Sequence, residues 1–172
     1  DVYKRQSLLH PHAGNWFMSG RTPGRSGNAH PNIYPYDSFA TGTTPVFLAV
    51  GNDRQFRLLC EHLGCPQLVA DERFATAGQR SHHRDALKPL LEQALQASDG
   101  PALADALMAI GVPAAPVLGV DAALNHPHTL HREMVVEMEG GYRGLGAPVK
   151  LSRTPASYRH APLAGVRLSL TC

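Results

Sequence analysis

Residues 35–51 constrain the fold of this chain most, because they hold two unlike strand patterns on either side of a turn. PYDSFAT (35–41) alternates aromatic and polar residues, whereas PVFLAVG (45–51) is continuously apolar. Gly42-Thr43-Thr44 separates them with turn-forming residues. The pattern predicts a β-hairpin.

A helix is predicted directly after this hairpin. Asn52 and Asp53 are suited to cap its start, and Gly64 with Pro66 just beyond marks its end. Apolar residues recur at the spacing of one helix face, at Phe56, Leu58, Leu59 and Leu63. The segment that follows, DERFATAGQR (71–80), reads as a polar loop ending in Arg.

The remaining patterns are weaker and mixed. Residues 7–19 read as the tail of a helix, and further helices are predicted at 81–98 (with Pro89 inside), 101–110 and 120–126. An edge strand is predicted at 112–119, and two strands around a Gly-rich turn at 135–152. Because helices and strands mix without a strict βαβ rhythm, the predicted class is α+β, an antiparallel sheet with packed helices.

Charge and hydropathy exclude several kinds of partner. A chain of 172 residues is one domain by length, and its net charge of +2 is too small and scattered to favour nucleic acid. No run of about 18 apolar residues is present, so no membrane span is predicted. We therefore expect neither a nucleic-acid partner nor a membrane partner.

Three cysteines, Cys60, Cys65 and Cys172, form no regular framework. Cys60 falls on the apolar helix face and is interpreted as a small buried hydrophobe. The spacing of Cys60 and Cys65 is wider than the C-x2-C of a metal pair, so neither metal nor redox use of these cysteines is favoured. Reduced thiols in a cytosolic protein are the preferred interpretation.

Two clusters of basic side chains are candidate sites. His126, His128 and His131 stand near Glu133 and could hold zinc or nickel, but Pro127 disrupts the helical phase, so a solvated helix-to-strand corner is preferred and no metal site is predicted. The second cluster could receive a phosphate or an acidic partner at a helix start, although a solvated loop is preferred. It comprises Arg80, His82, His83 and Arg84.

A long loop, GRTPGRSGNAHPN (20–32), matches neither common phosphate-binding motif. Glycine-rich backbone can approach a ligand closely, so an active-site flap and a simple linker stay equally open. Ser26 lacks a nucleophile-elbow context. The carboxylates resemble helix caps and turn formers, at Asp53, Asp71, Glu72 and Asp99. The residues alone therefore supply no complete catalytic set.

The order of several motifs resembles the family III CoA-transferases, also called the CaiB/BaiF type, over about residues 14–165. The motifs are HPNIYPYDSF (30–39), VGNDRQF (50–56), DERF (71–74), GVPAAPV (111–117) and LGAPVKLS (145–152). The resemblance implies an enzyme that moves CoA between carboxylic acids through an aspartate nucleophile. It also implies a Rossmann-like large domain, a small α+β domain and an interlocked, cytoplasmic homodimer.

In that family the nucleophile and most CoA-binding residues lie upstream of the region matched here. None of Asp37, Asp53 or Asp71 occupies the nucleophile motif, so no catalytic residue is assigned. The Gly-rich loop, here Gly24 through Pro31, matches the family's flap. The residues expected nearest to substrate are Gly27, Asn28, Ala29, His30, Tyr34 and Tyr36. A CoA thioester is expected as substrate, with no bound cofactor.

The expected organisation follows from the same resemblance. Residues 1–34 are an N-terminal remnant with the flap, 35–135 the small domain, and 136–172 a return segment towards a missing large domain. DVYKRQ resembles a sequencing-adapter remnant, and VRLSLTC (166–172) departs from the family after APLAG, so both linkers are expected to be truncated and the fragment inactive. Thr43-Thr44 replaces the family's frequent Asp-Gly, a change expected to be harmless.

Two other functions stay open. An acyl-CoA racemase or epimerase of the same family would abstract a proton next to the thioester. A long Gly-rich flap favours a transferase, but GRSGNAHPN lacks an extended Gly run. A non-catalytic binding module would instead be a folded monomer without an exposed apolar seam.

Overall fold

The computed structural model of the protein describes residues 9–161. The chain divides into two compact units, Asp1–Val117 and Leu118–Cys172. The described elements of the first unit are α1 His12–Ser19, β1 Tyr36–Phe39, β2 Val46–Ala49, α2 Asp53–His62, α3 Gln67–Ala70, α4 Ala77–His82, α5 Arg84–Leu95, α6 Gly100–Ala109 and β3 Ala114–Pro116. Those of the second are α7 Val120–Asn125, α8 Pro127–His131, β4 Val135–Met138 and β5 Tyr142–Leu145.

β2 is the central strand of a three-stranded antiparallel sheet in the order β1-β2-β3. Phe39 pairs with Val46 on one side of it, and Leu48 pairs with Ala114 on the other. Residues two apart on a strand share a face, and Val46 and Leu48 are both fully buried. The predicted hairpin is confirmed, and β3 is the edge strand predicted within 112–119.

The helices of the first unit are positioned by their caps and their apolar faces. The Asn52 side chain accepts a hydrogen bond from the Gln55 amide at 2.9 Å and so caps α2. Asp99 caps α6 by accepting from the Ala102 amide at 3.2 Å. The buried faces of α2, α5 and α6 join the sheet in one core through Phe56, Leu59, Leu87, Leu91, Leu95, Leu103 and Leu107.

The segment predicted as a polar loop is built from short turns instead. α3 is followed by a 3-10 turn, Glu72–Phe74, and then by α4. Asp71 accepts from the Arg73 amide at 2.9 Å, and Thr76 accepts from the Gln79 amide at 3.3 Å. Single turns stabilised by such caps carry no apolar periodicity, so the pattern could not predict them.

The helix predicted at 81–98 is shorter and begins later. α4 ends at His82, and α5 runs from Arg84 to Leu95 with Pro89 on its exposed side. Leu87, Leu91 and Leu95 keep the predicted apolar face and are fully buried. The predicted start was wrong because the backbone turns at His83, which carries non-helical dihedrals.

The hairpin turn is tied to the start of α6. The Thr43 hydroxyl donates to the Asp99 carboxylate at 2.8 Å and accepts from the Gly100 amide at 3.0 Å. A side chain at Gly100 would collide with the Thr44 carbonyl oxygen, so only glycine allows this approach. The Thr43 side chain therefore has a structural role in this turn.

The second unit contains two short helices and a hairpin. α7 confirms the helix predicted at 120–126. The predicted corner after it forms α8, because Pro127 starts a new helix and His126 accepts from the His128 amide at 3.2 Å. β4 and β5 pair antiparallel around a turn that contains Gly140 and Gly141.

Across the described residues, no helix is both long enough and apolar enough to cross a membrane.

Candidate functional site

The glycine-rich loop, defined as residues 20–35, leaves α1 at Gly20. Gly20 has φ of +67°, and its amide donates to the Trp16 carbonyl at 2.7 Å. The Ser19 hydroxyl accepts from the Arg21 amide at 3.2 Å. These bonds end the helix sharply and direct the chain away from it.

The tip of the loop is a turn at the predicted substrate-proximal residues. The Ala29 amide donates to the Ser26 carbonyl at 3.2 Å, and Gly27 has φ of +61°, a conformation that favours glycine. Gly27 and Asn28 are exposed, and Ala29 is partly buried. The turn therefore presents backbone and the Asn28 amide side chain to solvent.

His30 fixes the end of this turn. Its amide donates to the Tyr36 carbonyl at 2.9 Å. Its imidazole Nδ1 accepts from the Asn32 and Ile33 amides at 3.1 and 3.2 Å. Burial, together with the charges of Arg84 and His12, lowers the pKa of His30. The ring is therefore neutral with its proton on Nε2, because Nδ1 is used as an acceptor.

Arg84 holds the loop from the side of α5. Its Nη1 donates to the His30 carbonyl at 3.2 Å, and its Nη2 donates to the Pro31 carbonyl at 3.0 Å. Its Nε and Nη2 also donate to Ser81, at 3.0 and 2.9 Å. Four of the five N–H donors of Arg84 thus bind neutral acceptors, which keep its charge beside the loop without neutralising it.

A second clamp joins the loop to α1. The side-chain amides of Asn15 and Asn32 exchange two hydrogen bonds, at 3.1 and 2.8 Å. Each amide uses one donor and one acceptor. The loop is therefore held at its base on both sides while its tip is exposed.

The two predicted tyrosines lie in different environments. Tyr34 is almost fully buried, its hydroxyl has no partner among the described atoms, and burial raises its pKa. Tyr36 is partly buried, stacks on His30 with ring centroids 5.0 Å apart, and meets Phe47 edge-on at 5.6 Å. Tyr36 thus supports the loop, and Tyr34 belongs to the core beneath it.

Arg80 corrects both interpretations of its cluster, since it is neither solvated nor open to a phosphate. Its side chain is fully buried and donates to the Tyr34 carbonyl at 3.2 Å and the Phe74 carbonyl at 3.0 Å. It pairs with Asp53 at 2.6 Å and lies 4.5 Å from the Phe56 ring centroid. Sequence spacing could not reveal this, because the partners come from three separate segments.

An open cleft of about 590 Å³ lies between α1 and the glycine-rich loop. Among the described residues, Arg21, Arg25 and Arg84 line it and no carboxylate does. Arg21 and Arg25 are exposed and make no ion pair with another described residue. Like charges without a counter-charge create a positive potential in a concave site. The cleft is therefore suited to a carboxylate or phosphate.

These cleft arginines were missed by the sequence reasoning, which treated the loop as backbone alone. The signal was present as two arginines four residues apart in a Gly-rich segment. His12 lines the same cleft, and its Nδ1 is buried without a partner among the described atoms. Within residues 9–161, no group of three potential ligand side chains is placed to hold a metal ion.

The loop of this α+β unit thus borders a cleft whose charge favours an anionic ligand. The model of the family described as CoA-transferase family III matches residues 4–167. The chain therefore belongs to CoA-transferase family III, as its motifs predicted.

Curated relatives agree with this membership. The acetyl-CoA:oxalate CoA-transferase of Acetobacter aceti is 39% identical over 137 residues, covering 80% of this chain and 35% of the relative. The succinate–glutarate CoA-transferase of Agrobacterium fabrum is 35% identical over 156 residues, covering 88% of this chain and 39% of the relative. The chain thus spans a little over a third of the length of these relatives.

Solved structures agree on the fold. A CaiB/BaiF family protein from Brucella suis superposes with a TM-score of 0.75 at 38% identity, covering 87% of this chain and 39% of that chain. Rv3272 from Mycobacterium tuberculosis, at 20% identity and a TM-score of 0.72, shares the fold. The predicted CaiB/BaiF-type α+β fold is confirmed.

Proposed function

We propose that this chain takes part in moving CoA between an acyl-CoA and a carboxylic acid. The observation that carries the proposal is the cationic cleft beside the glycine-rich loop, in a chain of this family. Both the thioester's phosphates and the acceptor acid are anions, which guanidinium groups bind through charge-assisted hydrogen bonds. The relatives named above act, by name, with oxalate, succinate or glutarate.

The aspartate nucleophile of this chemistry is proposed to lie outside these 172 residues. Three candidate carboxylates in the chain are engaged in ion pairs: Asp37 with Lys88 at 2.8 Å, Asp53 with Arg80 at 2.6 Å, and Asp71 with Arg73 at 2.7 Å. An ion-paired carboxylate is a weaker nucleophile because its negative charge is already stabilised. None of the three lines the cleft.

The reaction then proceeds as acyl exchange on that aspartate. Its carboxylate attacks the thioester carbonyl and expels the CoA thiolate, which forms a mixed anhydride. The thiolate attacks the aspartyl carbonyl and releases the first acid, leaving an aspartyl-CoA thioester that passes CoA to the acceptor by the reverse steps. Gly27, Asn28, Ala29 and His30 cover these intermediates and exclude water, which would hydrolyse them.

In this proposal residues 1–34 hold the flap, residues 35–135 form the small domain, and residues 136–172 return towards a large domain. Tyr34 and Tyr36 position the flap from beneath. The whole protein would be a cytoplasmic interlocked homodimer.

The proposal that further protein packs against this chain is supported by an apolar seam on α1, where Trp16, Phe17 and Met18 are 47, 78 and 90% exposed. A free-standing module would not expose such a seam.

The test compares the 172-residue chain with the complete reading frame that contains it. Each is incubated with succinyl-CoA and either oxalate or glutarate, and the CoA ester of the acceptor is measured by mass spectrometry. We expect product from the complete protein and none from the 172-residue chain. Turnover by the 172-residue chain would overturn the external nucleophile, and deuterium incorporation next to the thioester without CoA transfer would favour a racemase instead.

A further inference from the structure

Two cysteine side chains meet where α2 ends. The Gly64 amide donates to the Glu61 carbonyl at 3.2 Å, and the Cys65 amide donates to the Cys60 carbonyl at 2.9 Å. With Gly64 at φ of +68°, these bonds form a Schellman motif. The motif brings its first and last side chains into contact. In this chain those side chains are Cys60 and Cys65.

Cys60 and Cys65 form a pair of thiols, rather than two cysteines that are buried separately as small apolar residues. Both cysteines are free and buried. Both belong to the same buried core cluster, and the 2.9 Å hydrogen bond from the Cys65 amide to the Cys60 carbonyl holds the two residues together at the end of the helix. A disulfide needs two Cys whose side chains point together across a short backbone separation. The Schellman hydrogen bond provides that arrangement without a rearrangement of the fold.

We propose that Cys60 and Cys65 form a reversible disulfide when the protein meets a hydroperoxide. This modification site is separate from the glycine-rich loop and does not depend on the proposed CoA transfer. The sequence interpretation set aside both metal and redox use of this pair because its spacing is wider than C-x2-C. The pairing was not predicted because it depends on the backbone geometry at the end of α2, which brings two residues five apart in sequence together.

The two thiols have different roles. The hydrogen bond from Cys60 lowers the pKa of Cys65, whereas that bond and burial raise the pKa of Cys60. Cys65 is 6% exposed and Cys60 is fully buried. Because Cys65 is the more accessible of the two, we assign it as the thiol that a small oxidant reaches first, and Cys60 as the resolving thiol.

The chemistry balances as a two-electron oxidation. The Cys65 thiolate attacks one peroxide oxygen and releases the other oxygen as water after it gains a proton, leaving a sulfenic acid. The Cys60 sulfur then attacks the Cys65 sulfur and expels hydroxide, which takes the Cys60 proton to form a second water. Two thiols are oxidised and one hydroperoxide is reduced. A dithiol reductant then reduces the disulfide back to the two thiols.

The test uses the chain with Cys172→Ser, so that no third thiol can pair. The folded protein is treated with stoichiometric hydrogen peroxide, denatured, alkylated and weighed. We expect a mass lower by two hydrogen atoms, no alkylation, and a linked peptide containing residues 60 and 65, all reversed by dithiothreitol. Two alkylatable thiols after treatment, or added oxygen atoms without loss of hydrogen, would overturn the proposal.

Single variants in the same background separate the two roles. With Cys60→Ser, Cys65 should be trapped by dimedone as a sulfenic acid. With Cys65→Ser, Cys60 should stay reduced under the same treatment. Circular dichroism confirms that each variant is folded. If a variant unfolds, the peroxide reaction is followed over time in the Cys172→Ser protein, which keeps both Cys60 and Cys65. That time course still decides whether the disulfide forms. Equal oxidation of the remaining thiol in the two variants, Cys65 in one and Cys60 in the other, would overturn the assigned roles.

Discussion

Arg80 is fully buried, and its guanidinium lies 2.6 Å from a carboxylate oxygen of Asp53, a residue whose side chain is half exposed. The same guanidinium binds the carbonyls of Tyr34 and Phe74. One side chain therefore joins the base of the glycine-rich loop, the start of α2 and the 3-10 turn. Its charge is tolerated in the core because each of its three nitrogens donates to an acceptor and the Phe56 ring lies against the guanidinium.

Removing Arg80 should destabilise the first unit strongly. Arg80→Met leaves the Tyr34 and Phe74 carbonyls without their buried donor and should lower the free energy of unfolding by about 3 kcal/mol or more. Arg57→Met is the matched control, because Arg57 is exposed on α2, and should change stability by less than about 0.5 kcal/mol. Urea unfolding measures both variants. Equal stability of the two would contradict the structural role of Arg80.

Gly100 should tolerate no side chain. Gly100→Ala places a methyl group against the Thr44 carbonyl oxygen and should cost about 2 kcal/mol or more, because backbone must shift. Gly78→Ala is the control: in α4 the added methyl group would meet the Thr76 hydroxyl at 4.0 Å, an ordinary contact, and alanine there should be neutral or stabilising by up to about 1 kcal/mol. Thermal unfolding compares them. If both substitutions have the same effect, the close approach of α6 to the hairpin is wrong.

His30 should titrate below its unfolded value of 6.5. Burial, Arg84 and His12 lower its pKa, and protonation of Nδ1 would break both hydrogen bonds from Asn32 and Ile33. The lowered folded pKa means that the neutral ring's contribution to stability is complete above pH 6.5 and is lost as the pH falls through the folded pKa. Residue-resolved NMR titration should show this lowered pKa.

The controls for His30 separate charge from hydrogen bonding. Arg84→Gln removes a nearby cation and should move the His30 pKa back towards 6.5. His30→Asn keeps an acceptor at the Nδ1 position but has no titrating group. The glycine-rich loop of this variant should therefore lose less of its order at low pH than the loop of the parent protein. A His30 pKa at or above 6.5 in the parent protein would show that the ring is not held as described.

The sequence predicted elements whose signals are local. β1 and β2 follow from an alternating and a continuous apolar run, and α2 follows from Asn52 at its start and Gly64 at its end. Each of these depends on neighbouring residues alone. The short turns of residues 67–82 were missed because a single capped turn leaves no periodic trace.

The candidate site was less predictable than the fold, for a physical reason. Gly27 and His30 were found through the family's motif, but a sequence does not distinguish a buried arginine such as Arg80 from an exposed one such as Arg25. The distinction depends on which distant carbonyls and carboxylates reach the guanidinium after folding. Likewise, Cys60 and Cys65 become a pair only through the Schellman motif.

The claim that this cleft binds the anionic substrates is tested most directly by the catalytic efficiency of the complete protein after the exposed arginines of the cleft are replaced. The double variant Arg21→Gln/Arg25→Gln is compared with Arg54→Gln/Arg57→Gln, which removes the same charge from the exposed side of α2. We expect kcat/KM for CoA transfer to fall about tenfold or more in the first, since each lost charged hydrogen bond is worth about 1.5 kcal/mol or more, and to stay at the parent value in the second. Equal efficiency in both double variants would contradict the assignment of this cleft to the anionic substrates.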